Sequence, residues 1–186
     1  LLNHLTKVIN ERTPGQKREA LLAAINGVLG DYLFEKNSPL AIPMQLRYNG
    51  KLITGIEQTP EVGKKKIVLL VHGSCMNNLQ WNRQGHDHGY MLSQDLGYTP
   101  IYLVYNSGRH ISDNGKELAD ILETFMQNAS NNAEFVMLAH SMGGLVARSF
   151  MNSISSNQPF PNIEGGERVT KLITLGSPHH GSPMAN

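Results

Sequence analysis

The chain has 186 residues, and its 16 basic against 15 acidic side chains leave a formal net charge of +1. Proteins that neutralise nucleic-acid phosphates show a basic surplus or stripe; the only cationic run here is Lys64-Lys65-Lys66, read as a solvated strand entry, so no nucleic-acid partner is expected. No apolar run approaches the roughly 18 residues needed to cross a bilayer, and a single cysteine, Cys75, excludes an intrachain disulfide.

Taken in order, residues 1–35 read as helical. Leu2, Leu5, Val8 and Ile9 recur at helical spacing, and Thr13-Pro14-Gly15-Gln16 then supplies an N-cap, a proline at the first helical position and a Gln three residues after the cap. Leu21, Leu22, Ile25, Val28 and Leu29 follow as one apolar stripe for packing, closed by Gly30. Residues 45–55 read as a hairpin, because Tyr48-Asn49-Gly50-Lys51 holds the Asn-Gly pair that a type I′ turn prefers. Beyond residue 63 the pattern alternates. Short apolar strands are expected at Lys66–Val71, Pro100–Tyr105, Phe135–Ala139 and Thr170–Leu175. Between them, helices are expected over residues 86–96, Lys116–Asn128 and Gly143–Asn152, and Ser153–Glu167 reads as a surface loop. Alternating strand and helix with short links predicts an α/β fold with a mostly parallel sheet covered on both faces. Residues 1–38 are then an N-terminal helical extension and 39–186 the core.

In such a sheet, chemistry concentrates at the carboxyl ends of the strands. The third buried strand runs into Ala139-His140-Ser141-Met142-Gly143-Gly144 and straight on into a helix. A serine in a sharp strand-to-helix turn, with small residues two before and two after, is the pattern of a nucleophile elbow, although Ala139 replaces the usual first glycine. The helix N-terminus also offers N–H groups to a developing oxyanion. Two further strand ends carry Val71-His72-Gly73-Ser74 and Leu175-Gly176-Ser177-Pro178-His179-His180-Gly181-Ser182-Pro183.

With VHGS at 71–74, AHSMGGLVAR at 139–148 and TLGSPHHGSP at 174–183, the chain resembles the α/β-hydrolase superfamily, in the lipase and esterase branch that includes triacylglycerol-lipase and PGAP1-like groups. The resemblance implies a three-layer α/β-hydrolase sandwich, Ser141 as nucleophile, and the backbone N–H groups of Ser74 and Met142 as oxyanion donors. It implies a small-molecule ester or lipid substrate, with no cofactor and no metal. It also implies an acid and then a histidine later than the serine. After Ser141 there is no Asp; Glu164 and Glu167 precede the fourth strand, and the histidines are His179 and His180. The triad acid and histidine are therefore expected outside this chain, whose hydrolase core reads as incomplete at its C-terminus. Alone it is expected to be inactive, since an unassisted serine hydroxyl stays protonated. Alternatives are hydrolysis of an amide, thioester or lipid-linked acyl group, or a binding protein that has kept the fold and lost the triad.

Other residues carry lesser expectations. His86-Asp87-His88 lacks a third ligand at helical spacing and is read as capping or loop hydrogen bonding, not zinc. Arg109 and His110, near the active face, either touch substrate or, as the preferred reading, hydrogen-bond within their loop, and Cys75 is read as a buried thiol. Leu79 and Trp81 either line an acyl pocket or simply pack. No signal peptide is visible. Because the chain opens on Leu1 and not Met, the natural start is expected upstream. A cytoplasmic setting is slightly favoured by the single cysteine, and the location is otherwise unknown.

Overall fold

The computed structural model describes residues 15–60, 66–127, 133–156 and 169–181. Helix α1 (Gly15–Glu35) is followed by a hairpin of β1 (Gln45–Tyr48) and β2 (Lys51–Ile53). Asn49 and Gly50 take φ of 48° and 75°, the two left-handed residues that a type I′ turn requires. The chain then lays down β3 (Lys66–Val71), a 3-10 turn at Asn78–Trp81, a two-residue ribbon of β4 (Asn82–Arg83) and β5 (His86–Asp87), and α2 (His88–Leu96). There follow β6 (Thr99–Val104), α3 (Ile111–Met126), β7 (Glu134–His140), α4 (Gly143–Ser156) and β8 (Val169–Leu175).

The main sheet has the order β2-β1-β6-β3-β7-β8; β6, β3, β7 and β8 are parallel, and β1 pairs antiparallel with β2 and β6. Parallel strands are buried on both faces, which is why β3 reads as an unbroken apolar run. Ile67, Leu69 and Val71 point into the core beneath α3 and α4, with Leu118, Leu122, Phe125, Val146 and Phe150. Val68 and Leu70 face the other way, toward Trp81 and, on α2, Leu92. From β3 the chain crosses to β6 on one side; from β6 it crosses back over β3 to β7 and continues to β8 on the other. A uniform crossover hand moves the covering helix to the opposite face when the direction of travel reverses. The reversal makes the carboxyl ends of β3 and β7 the switch point of the sheet, where such folds place their ligands.

Several sequence expectations are corrected. The regular helix breaks at Leu29 (φ −116°, ψ 17°), next to the expected end at Gly30, and α1 resumes beyond this kink to Glu35; its covered face is Ala23, Asn26, Gly30 and Leu33. Of the expected stripe, Leu22 and Ile25 pack against Leu33 and Leu40, whereas Leu21, Val28 and Leu29 are exposed, Val28 at 76%. The reason is the kind of surface it meets: loop backbone, which small residues approach more closely than leucine can. A Cβ added to Gly27 would lie 2.8 Å from the Cys75 backbone, and one on Gly30 would lie 2.6 Å from Gly108 Cα. The helix expected from residue 86 starts at His88, with Asp87 as its cap. α3 begins at Ile111, five residues before the expected start, and takes in Gly115, where a Cβ would press into the Ser149 side chain of α4. α4 runs to Ser156 and not Asn152. Expectations for residues 1–14, for Lys64 and Lys65, for Glu164 and Glu167 and for most of the 153–167 loop lie outside the described residues.

Candidate active site

Register brings the two leading loops together. Val71 of β3 pairs with Ala139 of β7, so two residues further along each strand Gly73 stands opposite Ser141. A Cβ on Gly73 would sit 3.1 Å from Ser141 Cβ, so glycine lets the loop close on the serine. Ser141 has φ of 52°, a left-handed conformation that non-glycine residues rarely hold and that persists only where the surroundings enforce it. Its N–H donates to the Leu175 carbonyl at the end of β8 at 2.8 Å, and its carbonyl accepts from Gly144 N–H at 3.1 Å. The flanking residues must be small for measurable reasons. Ala139 is fully buried, and a Cβ on Gly143 would meet the Val71 and His72 carbonyl oxygens at 2.6 and 2.5 Å. One on Gly144 would press into Ser177. The Met142 carbonyl accepts from Leu145 and Val146, so its peptide opens α4.

Ser74 is exposed at the rim, one residue past Gly73. Cys75, expected to be a buried thiol, is exposed instead. Its φ of 57° reverses the chain at the end of the loop, and its backbone N–H donates to Ser107 Oγ at 3.0 Å. Before the turn, His72 is buried, stacked on Tyr105 at 4.3 Å, with its carbonyl accepting from Tyr105 Oη at 2.7 Å. Burial lowers the His72 pKa to about 4 against the opposing pull of the Gly73 carbonyl, so its ring is neutral near pH 7.

The remaining candidates separate. Asp87 accepts from Tyr90 N–H at 2.8 Å and from Tyr102 Oη at 2.5 Å, and His88 Nδ1 lies 3.0 Å from the Trp81 carbonyl. Capping and loop bonding thus account for Asp87 and His88. Among the described residues no group of three or more His, Cys, Asp or Glu is placed to hold a metal ion. Arg109 is paired with Glu117 and stacked on Phe34 at 3.7 Å, while His110 faces Asp31 at 3.6 Å. Trp81 is buried in the core layer beside α2, with its ring edge-on to His140 at 6.5 Å. His179 lies between Arg148 (Nδ1, 3.2 Å) and Thr174 (Nε2, 3.3 Å), so both ring nitrogens are engaged and neither by Ser141. His180 is exposed.

The residues that sequence reading missed are those that hold the loops. Asn106 donates to the Gly30 carbonyl at 3.0 Å and accepts from Gly108 N–H at 3.1 Å, while Asn114 donates to the Asn106 carbonyl at 3.0 Å. Asn-Ser-Gly at a strand end is a visible turn signal, but a partner 76 positions away along the chain leaves no local trace.

Sheet order, crossovers and the strand-to-helix turn together define an α/β-hydrolase fold. A family model described as "PGAP1-like alpha/beta domain" matches residues 63–186, and the chain belongs to that family. No curated protein matches the sequence. Among solved structures, the Bacillus licheniformis lipase BlEst2 in its propeptide form aligns with a TM-score of 0.51 at 21% identity, over 77% of this chain and 27% of that one. The mature form of the same lipase gives 0.49 at 22% identity, over 77% of this chain and 49% of that one. The first likeness carries the fold, and the chain spans half or less of either lipase chain.

Proposed function

We propose that the protein is a serine hydrolase that cleaves carboxylic esters through an acyl-enzyme on Ser141. The observation that carries this reading is Ser141 itself: a left-handed serine at the head of α4, at the sheet's switch point, with the Gly73 loop closed against it. Ser141 Oγ attacks the ester carbonyl carbon, and the oxygen becomes an oxyanion that accepts from the N–H groups of Ser74 and Met142. Collapse expels the alcohol, which takes up the serine's proton from a base. Water then hydrolyses the acyl-serine and regenerates the hydroxyl. The base is a histidine outside the described residues, following the order serine, acid, histidine of the α/β-hydrolase triad. The His72 ring is buried on Tyr105, and His179 is held by Arg148 and Thr174.

The test uses the full-length protein. A fluorophosphonate probe should label Ser141, and Ser141→Ala should abolish labelling and lower p-nitrophenyl ester hydrolysis by about 10⁴–10⁶-fold. Labelling that survives in Ser141→Ala, or no hydrolysis of any ester in a graded chain-length series, would refute the reading.

A further inference from the structure

We propose that Ser107 is a positioning residue for the oxyanion loop, holding the Ser74 N–H in place through Cys75; this rests on the hydrolase reading above. The loop after β3 has no regular structure to fix it, and Cys75 stands in a left-handed conformation at φ 57°, which needs support from its surroundings. That support comes from two sides. From the loop after β6, buried Ser107 accepts the Cys75 N–H at 3.0 Å. From α1, Gly27 presses so close that a Cβ would come within 2.8 Å of the Cys75 N and Cα atoms. The two supports are also joined to each other, since Asn106 donates to the Gly30 carbonyl at 3.0 Å. The Cys75 N–H belongs to the peptide that follows Ser74, so fixing it fixes ψ of Ser74. The neighbouring peptide, which on the hydrolase reading presents the Ser74 N–H to the oxyanion, is joined to it through the Ser74 Cα and loses freedom with it. A donor displaced by a fraction of an ångström loses much of its hold on an oxyanion, whereas substrate binding in the ground state changes little.

The experiment compares Ser107→Ala, Ser107→Cys and Ser107→Thr in the full-length protein. Ser107→Cys keeps the volume but offers sulfur, a weak acceptor; Ser107→Thr keeps the hydroxyl. Amide hydrogen exchange over residues 73–77 should lose protection at Cys75 in the Ala and Cys variants. Their kcat should fall by about 10–100-fold with KM within about twofold, and affinity for a boronic acid that mimics the tetrahedral adduct should fall in parallel. Ser107→Thr should restore protection and kcat. Wild-type exchange at Cys75 in both the Ala and Cys variants overturns the proposal, as does lost protection with unchanged kcat and boronate affinity, or a loss confined to KM. Wild-type protein that fails to label at Ser141 refutes the hydrolase reading, and the role of Ser107 with it. Wild-type labelling with unaltered Ser107 variants refutes the positioning role alone.

Discussion

His72 closes β3 with its ring buried against Tyr105, and the consequence is a pH dependence of stability. Its folded pKa of about 4 lies below the ordinary 6.5, so between those values the unfolded chain binds a proton that the folded chain does not. Stability is then fully present above pH 6.5 and falls as the pH drops toward 4, by roughly 3 kcal/mol from this residue. Urea unfolding from pH 7.5 to 4 should show the wild type losing about that much more than His72→Asn; parallel pH profiles would refute the assignment. Legibility at this scale was uneven. The size limits around Ser141 could be read from Ala139, Gly143 and Gly144. The exposure of Cys75 could not, because it depends on a positive φ enforced by Ser107 and Gly27 from distant parts of the chain.

At the scale of elements, α1 turns the usual expectation for an amphipathic helix around. Its exposed positions include Leu21, Val28, Leu29, Tyr32 and Phe34, while Asn26 is wholly buried. Asn26 donates to the Leu22 carbonyl at 2.9 Å and the Leu40 carbonyl at 2.8 Å, and accepts from Ile42 N–H at 2.9 Å. It thereby ties the helix to the segment that leads into β1. Asn26→Ala leaves the Leu40 and Ile42 backbone groups unpaired and should cost about 2–4 kcal/mol, measured by denaturant unfolding. A change below about 0.5 kcal/mol would mean that water replaces all three bonds. Element type was readable in advance wherever one periodicity ran unbroken, as in β3, β6 and β7. Boundaries were less legible: α1 kinks at Leu29 beside the expected end at Gly30 and then continues, and α3 takes in Gly115 because the close approach of Ser149 makes a glycine a contact point inside a helix.

Over the whole molecule, the sheet is asymmetric. On one flank the β1–β2 hairpin covers β6; on the other, β8 has no further partner among the described residues and leaves Ile173 and Leu175 exposed at 46% and 37%. Lys171 is the one charge on this edge strand, and with a net chain charge of only +1 it leaves the largely apolar stretch from Leu172 to Leu175 little guarded against edge-to-edge pairing. In sedimentation experiments the 186-residue polypeptide should self-associate as concentration rises, and Ile173→Lys should keep it monomeric; a wild-type chain that stays monomeric throughout would refute this. Among the described residues no helix is long and apolar enough to cross a membrane.

The sequence by itself determined the α/β class, the parallel strands and the motif centred on Ser141, because strand burial and the sterics of a tight strand-to-helix turn act over a few neighbouring residues. Only the tertiary structure decided that Gly73 closes on Ser141, that Gly27 and Gly30 of α1 meet the loops at Cys75 and Gly108, and that Ser107 reaches Cys75. These contacts depend on sheet order and register, which bring together positions separated by tens of residues, and no local pattern encodes them.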